Sequence, residues 1–264
     1  MGSLYLDDIL DNHRATAAAD GRALDDLIAE AKEMAPTRGF VDALRQQPKL
    51  GVIAEVKRRS PSKGDLNLGL DPVELSSAYA AGGAACCSVL TDDKYFGGSV
   101  ADLQAVRAAV DIPVLRKDFT VSAHDVADAR LMGADCVLLI VAALSDGELS
   151  EFHSLAIELG LDVLIEVHDE AEAERAMALN GSLVGVNQRD LRTFEVDTER
   201  AKRVAASLPA DVVRVAESGI GGPGDIPELV GAGFQAVLVG ESLVKHSGPA
   251  DGVAALIEAA VQGE

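Results

Sequence analysis

Short runs of Val, Ile and Leu recur along the chain from about residue 50, and longer amphipathic stretches separate them. The apolar runs start near residues 51, 84, 113, 135, 161, 183, 212 and 235, at intervals of 22 to 33 residues. Within each run the residues are almost continuously apolar, as in parallel strands that are covered on both faces. Each interval has room for a strand, a helix and two loops. Eight such units predict an α/β fold of the (β/α)8 TIM barrel class.

Signals for helix starts lie between the predicted strands. Asp71 and Pro72 can begin a helix as N-cap and first-turn proline, and Ser122 and Ser145 are placed to cap the third and fourth barrel helices. The competing fold, an open doubly wound sheet, usually has a glycine-rich fingerprint after its first strand. The residues found there, 57–64, read KRRSPSKG and do not match that fingerprint. The pattern therefore favours the barrel.

About fifty residues precede the first predicted strand. Two amphipathic stretches within them, Leu4–Ala19 and Ala23–Met34, predict helices. Such helices form either a plug at the bottom of the barrel or a partial lid over its top, and periodicity does not distinguish the two. Because no linker or low-complexity tract interrupts the chain, we expect residues 1–264 to form one domain. It would consist of an N-terminal helical extension, 1–49, packed on a barrel, 50–264.

The charge balance limits the choice of partners. The chain has 43 Asp and Glu against 23 Lys and Arg, a formal charge of −20. A negative field repels nucleic-acid phosphates and anionic membranes, so we expect neither as a partner. The longest apolar run, Cys136–Leu144, has nine residues and is about half as long as a membrane span. With no signal-peptide pattern at the N-terminus, a cytoplasmic protein is expected.

The cysteines are few and do not follow a metal-binding pattern. Cys86, Cys87 and Cys136 all lie in apolar runs, without the paired spacing of zinc sites or disulfide frameworks. We expect them to be small buried side chains, and we predict no metal site.

Polar residues collect at the carboxyl ends of the predicted strands, where barrels build their active sites. These strand ends are Glu55-Val56-Lys57, Arg116-Lys117-Asp118, Glu166, Asn187 with Arg189, Glu217-Ser218-Gly219 and Gly240-Glu241. A single charged strand end would indicate a structural ion pair, because unpaired buried charges are costly. Here five of the eight strands end in charged groups. We therefore predict that Glu55, Lys57, Lys117 and Glu166 act together in catalysis.

Small residues follow predicted strands seven and eight. Ser218–Gly222 and Gly240–Ser242 would let backbone N–H groups approach an anion, at the two positions where many barrels bind phosphate. The alternative for each is a tight turn. If phosphate binds there, the side chain of Glu241 must point away from it.

Seven motifs in order resemble the indole-3-glycerol-phosphate synthase family, over about residues 50 to 245. They are IAEVKRRSPSKG at 53–64, LTDDKYFGGS at 90–99, PVLRKDF at 113–119, LIEVHDE at 164–170, GVNQRDLRTFEVD at 185–197, AESGI at 216–220 and LVGESLV at 238–244. The resemblance implies a carboxy-lyase of tryptophan biosynthesis. It would convert 1-(2-carboxyphenylamino)-1-deoxyribulose 5-phosphate to indole-3-glycerol phosphate by ring closure, decarboxylation and dehydration, without a metal or organic cofactor.

The resemblance also implies roles for the strand-end residues. Lys117 matches the general acid of the family, and Glu166 and Lys57 match the base and acid of the dehydration. Glu55 would hold a lysine in place and help set its proton affinity. Asn187 and Glu217 match positions that contact polar groups of the substrate, and Arg189 would orient that network.

Two groups of residues would hold the substrate. The phosphate would lie against Ser60, Gly219 and Gly240, next to Ser218 and Glu241 in the same loops. The aromatic ring would lie against Phe96, Phe119, Leu138 and Leu191. To reconcile an anionic substrate with an acidic chain, we place nine basic residues at the barrel mouth: Lys57, Arg58, Arg59, Lys63, Lys94, Arg116, Lys117, Arg189 and Arg192.

Two other functions are weighed. A phosphoribosyl isomerase would need a Cys or Asp acid–base pair at strands one and six, where the chain has Glu55-Lys57 and Asn187. A non-catalytic sensor or scaffold for a phosphorylated ligand would have lost one or more of Lys57, Lys117 and Glu166, yet all are present. The expected partner is thus a phosphorylated small-molecule substrate, and the expected assembly a monomer or a weak homo-oligomer. His124 and His168 are predicted to be structural.

Overall fold

The computed structural model describes residues 3–189 and 196–262; of residues 3–5 and 262 it describes the backbone alone. Within these residues eight parallel strands close into a barrel, each paired with its neighbours in sequence and the last with the first. The strands are β1 Gly51–Val56, β2 Cys86–Leu90, β3 Val114–Lys117, β4 Cys136–Ile140, β5 Asp162–Val167, β6 Leu183–Asn187, β7 Val213–Glu217 and β8 Ala236–Val239. The predicted (β/α)8 barrel is confirmed, and each strand begins within two residues of its predicted start.

Helices surround the barrel and also precede it. They are α1 Ser3–Ala18, α2 Leu24–Lys32, α3 Phe40–Arg45, α4 Pro72–Ala81, α5 Asp93–Phe96, α6 Val100–Ala109, α7 Ala123–Leu131, α8 Asp146–Glu158, α9 Glu170–Met177, α10 Thr198–Ser207, α11 Ile226–Gly231, α12 Glu241–Val244 and α13 Pro249–Gln262. Asp71 caps α4 before Pro72, Ser122 caps α7, and Ser145 forms a capping box with Glu148 at α8. These caps confirm the predicted helix starts, since each satisfies backbone N–H groups that the helix leaves unpaired.

Alternation along the strands separates two apolar cores. Residues such as Val52 and Ala54 of β1 pack outward against the helices. Ile53 turns inward and packs with Leu115, Leu138 and other inward side chains that fill the barrel. The inner core is continuous with apolar residues of α1 and α3, so the N-terminal extension closes the barrel from outside.

The N-terminal helices lie at both ends of the barrel. The backbone N–H of Val41 in α3 donates to Oδ2 of Asp162, the first residue of β5, at 3.0 Å. Helix α3 therefore plugs the bottom. His13 of α1 lies 3.0 Å from Oδ2 of Asp92, just beyond the carboxyl end of β2. Helix α1 therefore covers the top, which is the lid alternative for the first predicted stretch, whereas the bottom is closed by α3, outside both predicted stretches.

Helix α3 is among the short elements that the sequence did not predict. Another is an antiparallel hairpin, Arg59–Ser60 with Gly64–Asp65, which includes part of the KRRSPSKG loop. Both are too short to show a period. The three cysteines are buried with free thiols, as expected, and burial raises the pKa of Cys86. In the described part of the chain, no helix has the length and apolarity needed to cross a bilayer.

Replacing the plug residue Phe40 with Ala should destabilise the fold strongly. Phe40 is completely buried in the inner core, so its truncation removes apolar contacts and leaves a cavity at the bottom of the barrel. We expect a loss of about 3–5 kcal/mol in the free energy of unfolding, measured by urea denaturation. Val261→Ala, at a side chain that is 55% exposed, should change it by less than about 0.5 kcal/mol. Equal losses in the two variants would contradict the plug.

Candidate active site

A cavity of about 460 Å³ opens at the carboxyl ends of the strands. Its volume is within the range of small-molecule sites. Leu6 and Ile9 of α1 form part of its wall, which sequence reasoning missed because the position of α1 over the barrel was left open. The cavity is lined by every predicted site residue that the structure describes: Glu55, Lys57, Ser60, Phe96, Lys117, Phe119, Leu138, Glu166, Asn187, Arg189, Glu217, Ser218, Gly219, Gly240 and Glu241. Leu191 lies outside the described residues.

Four charged side chains come from alternate strands of the barrel. Glu55 is on β1, Lys117 on β3, Glu166 on β5 and Glu217 on β7. In a TIM barrel the inward side chains of alternate strands share a layer, which explains why these four meet. The Nζ of Lys117 lies 2.7 Å from Oε2 of Glu166 and 3.3 Å from Oε2 of Glu217. Lys117 thus bridges two carboxylates at the floor of the cavity.

Glycines make room for two of these carboxylates. A Cβ at Gly240 would overlap the carboxylate of Glu55, and a Cβ at Gly185 would overlap that of Glu217. Glu55 is buried and forms an ion pair with Lys57, as the sequence analysis expects of a carboxylate that holds a lysine. Packing against Glu55 is therefore one reason why a glycine stands at position 240. Its place next to the cavity is another.

Burial and pairing shift the pKa values in this cluster. Burial alone would lower the pKa of Lys117, but the charges of Glu166, Glu217 and Glu55 outweigh it and raise the pKa above its ordinary value. Burial would raise the pKa of Glu166, yet Lys117, His168 and Asn187 stabilise its charge and lower the pKa. Glu217 has the opposite balance: burial and the charge of Glu166 raise its pKa. Two similar residues are thus separated into an ionised and a readily protonated carboxyl group.

Asn187 fixes the second oxygen of Glu166. Its Nδ2 donates to Oε1 of Glu166 at 3.0 Å, and its Oδ1 accepts from the backbone N–H of Arg189 at 3.0 Å. With Lys117 on Oε2, both oxygens of Glu166 accept a hydrogen bond. This arrangement holds the carboxylate in one orientation.

The loops after β7 and β8 meet at one side of the cavity. Ser218 and Gly219 have φ of 64° and 71°, successive left-handed residues that bend the loop sharply. Ser242 Oγ donates to the carbonyl of Ile220 at 3.2 Å and so joins the two loops. Glu241 is engaged by Lys245, whose Nζ lies 2.7 Å from Oε1. Lys245 was not among the predicted site residues, although its spacing of four residues from Glu241 is typical of a helical ion pair.

The opposite side of the cavity is apolar. The ring of Phe119 lies 6.3 Å from that of Phe96 and 5.3 Å from the imidazole of His13, measured between centroids. Leu138 completes this wall from inside the barrel. The cavity therefore has one apolar end and one end built from small residues, as a flat aromatic group joined to a polar chain would require.

The prediction for the basic residues is only partly right. Four of the nine line the cavity, namely Lys57, Lys63, Lys117 and Arg189. The other described ones bond elsewhere: Arg58 pairs with Asp102, Arg59 donates to the carbonyl of Asp93, Lys94 to Asn12, and Arg116 pairs with Asp118. Arg192 lies outside the described residues. A place at a strand end does not by itself bring a side chain into the cavity. Arg116 precedes the inward Lys117, so its side chain points to the outside of the barrel.

One group of side chains in the described ranges has the geometry of metal ligands: His13, Asp92 and Asp118, with donor atoms within 4.8 Å of one another. Their oxygens already accept hydrogen bonds. Asp118 accepts from Thr91 and Arg116, and Asp92 accepts from His13 and from backbone N–H groups of α5. We interpret these residues as a hydrogen-bonded group that holds α1 over the cavity.

The two predicted structural histidines have different surroundings. The Nε2 of His124 lies 3.0 Å from the carbonyl of Arg22, away from the cavity. His168 is buried, and its Nε2 lies 3.8 Å from Oε1 of Glu166. Glu166 and His168 are two residues apart at a strand end, so their side chains point to the same side. The sequence alone indicates this neighbourhood.

Comparisons with known proteins show which proteins the chain resembles. A family model described as indole-3-glycerol phosphate synthase matches residues 6–256. A protein of that name from Nocardioides sp. is 54% identical over 246 residues, covering 92% of this chain and 94% of the relative. Another, from Mycolicibacterium smegmatis, is 49% identical over 256 residues, covering 96% and 94%. Thiamine phosphate pyrophosphorylase from Pyrococcus furiosus shares the fold, with a TM-score of 0.63, 18% identity and coverage of 83% and 98%.

Glu217→Gln should stabilise the fold at neutral and higher pH. An acid whose pKa is higher in the folded state than in the unfolded state costs stability as pH rises from the unfolded pKa toward the folded one. The pKa of Glu217 is raised by burial and by Glu166, so removing its charge relieves that cost. We expect the urea midpoint of the variant to exceed that of the unmodified protein increasingly from about pH 5 to about pH 8. The exposed Glu174→Gln should show no such trend, and a variant less stable at the higher pH would contradict the account.

Proposed function

The chain belongs to the indole-3-glycerol phosphate synthase family, and we propose how its cavity carries out that reaction. The substrate is 1-(2-carboxyphenylamino)-1-deoxyribulose 5-phosphate, and ring closure, loss of CO2 and loss of water convert it to indole-3-glycerol phosphate in tryptophan biosynthesis. The protein is then a carboxy-lyase. The observation that carries the proposal is the position of Lys117, held between Glu166 and Glu217 in a cavity with one aromatic wall.

Lys117 is the general acid of the ring closure. When the aromatic carbon attacks the ketone, the carbonyl oxygen gains negative charge and becomes basic enough to take a proton. The carboxylates that raise the pKa of Lys117 keep it protonated in the free protein, so the proton is in place when substrate binds. A cation fixed in a buried site also stabilises the developing charge before the proton moves. Loss of CO2 then leaves its electron pair in the ring.

Dehydration needs a base that takes a proton from the new ring and an acid that protonates the hydroxyl group as it leaves. Glu166 has a lowered pKa and is ionised, so it accepts the ring proton. Lys57 lines the same cavity and protonates the departing hydroxyl, while Glu55 holds the ammonium group. Asn187 keeps Glu166 in orientation, and Glu217 contacts polar groups of the substrate. The two lysines thus act at different steps.

The two ends of the cavity orient the substrate. The anilino ring packs against Phe96, Phe119 and Leu138. The phosphate lies against Ser60 and the loops of Ser218, Gly219 and Gly240, with Glu241 drawn aside by Lys245.

Cations nearly balance the acids in the cavity, although the chain as a whole is strongly acidic. Four lysines and one arginine line the cavity beside six acids, so an anionic substrate would find cations to pair with there. Helix α1 of the 1–49 extension covers the 50–264 barrel, and its residues Leu6 and Ile9 line the cavity. We therefore propose that the extension and the barrel act as one domain.

Lys117→Ala should abolish turnover without unfolding the protein. The variant lacks the proton donor of ring closure, so we expect kcat to fall by about a thousandfold or more. The assay follows indole fluorescence after purified protein is mixed with the anilino-ribulose phosphate. The control is Lys202→Ala, at a surface lysine paired with Glu199 and Glu228. Near-normal kcat in the Lys117 variant would refute its role, and an inactive unmodified protein that still binds the substrate would favour a sensor.

A further inference from the structure

His168 is the ionisable group beside the proposed catalytic cluster that the mechanism leaves unused. It follows β5 directly, and its ring is buried between that strand and α9. Glu172 of α9 holds it at two points: Oε2 accepts from the backbone N–H of His168 at 2.8 Å and lies 3.0 Å from the ring Nδ1. The orientation of the ring is therefore fixed by Glu172.

The free ring nitrogen faces Glu166. Nε2 of His168 lies 3.8 Å from Oε1 of Glu166, and it has no hydrogen-bond partner among the described residues. A buried polar atom without a partner costs stability, and in a native site it calls for an explanation. A cation held at this distance from a catalytic carboxylate supplies one.

The surroundings of His168 favour its charged form. Because Nδ1–H donates to the Glu172 carboxylate, a neutral ring would turn the lone pair of Nε2 toward a negative Glu166, whereas an imidazolium turns an N–H toward it. Three acidic groups act on the ring: Glu172 from α9, Glu166 from β5 and Glu217 from β7. Burial lowers the pKa of His168, but these groups outweigh it and raise the pKa. Lys117 of β3 bonds the other oxygen of Glu166, so it lies on the far side of that carboxylate.

We propose that His168 is a positioning residue for Glu166. Glu172 holds the imidazolium so that Nε2–H attracts Oε1 of Glu166, opposite to Lys117 on Oε2. Lys117 must turn its proton toward the substrate during ring closure, and Glu166 then loses part of its stabilisation. During that step His168 keeps Glu166 ionised and in a fixed orientation. Glu166 is then ready to act as the base of the later dehydration. This inference rests on the proposed role of Glu166.

The test compares pH profiles of three variants. In His168→Gln a neutral amide replaces the cation, so Glu166 becomes easier to protonate and the acidic limb of kcat/KM moves to higher pH. We expect kcat to fall by about tenfold to a hundredfold while KM stays within about twofold, because orientation is lost and binding is not. Glu172→Gln should move the limb in the same direction by less, since the ring remains. The substrate phosphate titrates alike in every variant, so differences between profiles report on the protein.

The control is Glu170→Gln, on the same helix. Glu170 is an exposed partner of Arg203 and lies outside the cavity, so its variant should keep the unmodified profile. Urea denaturation confirms that each variant is folded. If His168→Gln does not fold, Glu172→Gln decides, and its limb must still move to higher pH.

Failure of this inference and failure of the proposed function give different results. An unshifted acidic limb in a folded His168→Gln, while Glu166→Gln is inactive, overturns the role of His168 alone. Full activity of Glu166→Gln overturns the proposed base itself. A shifted limb in His168→Gln with an unchanged Glu170→Gln supports the role.

Discussion

The pairing of Lys117 with Glu166 and Glu217 is the interaction on which the site depends. Charged groups buried at a strand end are costly unless they are paired, and here one ammonium group serves two carboxylates. The barrel makes this possible, because alternate strands place their inward residues in one layer. Gly185 and Gly240 lack the Cβ atoms that would overlap the carboxylates of Glu217 and Glu55.

The remainder of the fold protects this cluster. Helix α3 closes the bottom of the barrel, and α1 covers the top, held by the contact of His13 with Asp92. Water is thereby limited at the charged layer, which strengthens each interaction within it. The formal charge of −20 describes the molecule as a whole, whereas in the cavity four lysines and one arginine nearly balance six acids.

Much of this could be predicted from sequence, for a physical reason. Continuous apolar runs at regular spacing specify parallel strands. The fold then dictates that polar strand ends converge, so the meeting of Glu55, Lys117 and Glu166 can be predicted from the sequence. Other features depend on packing between distant segments. Leu6 and Ile9 reach the cavity because of the way α1 packs on the barrel. The pairing of Arg116 with Asp118 and the partners of Lys117 depend on how the barrel closes. His168 is an intermediate case, because its shared facing with Glu166 was readable but its contact with Glu172 was not.

The central claim is that Lys117 is protonated in the free protein and can therefore act as the proton donor. Its most direct test is the protonation state of the Lys117 Nζ, followed by 15N NMR during a pH titration, with Lys117→Arg used to assign the signal. The three neighbouring carboxylates raise the pKa of Lys117 above that of an ordinary lysine, so the signal should remain that of an ammonium group at about pH 11, where an ordinary lysine is mostly neutral. A neutral amine at about pH 11 would contradict the account.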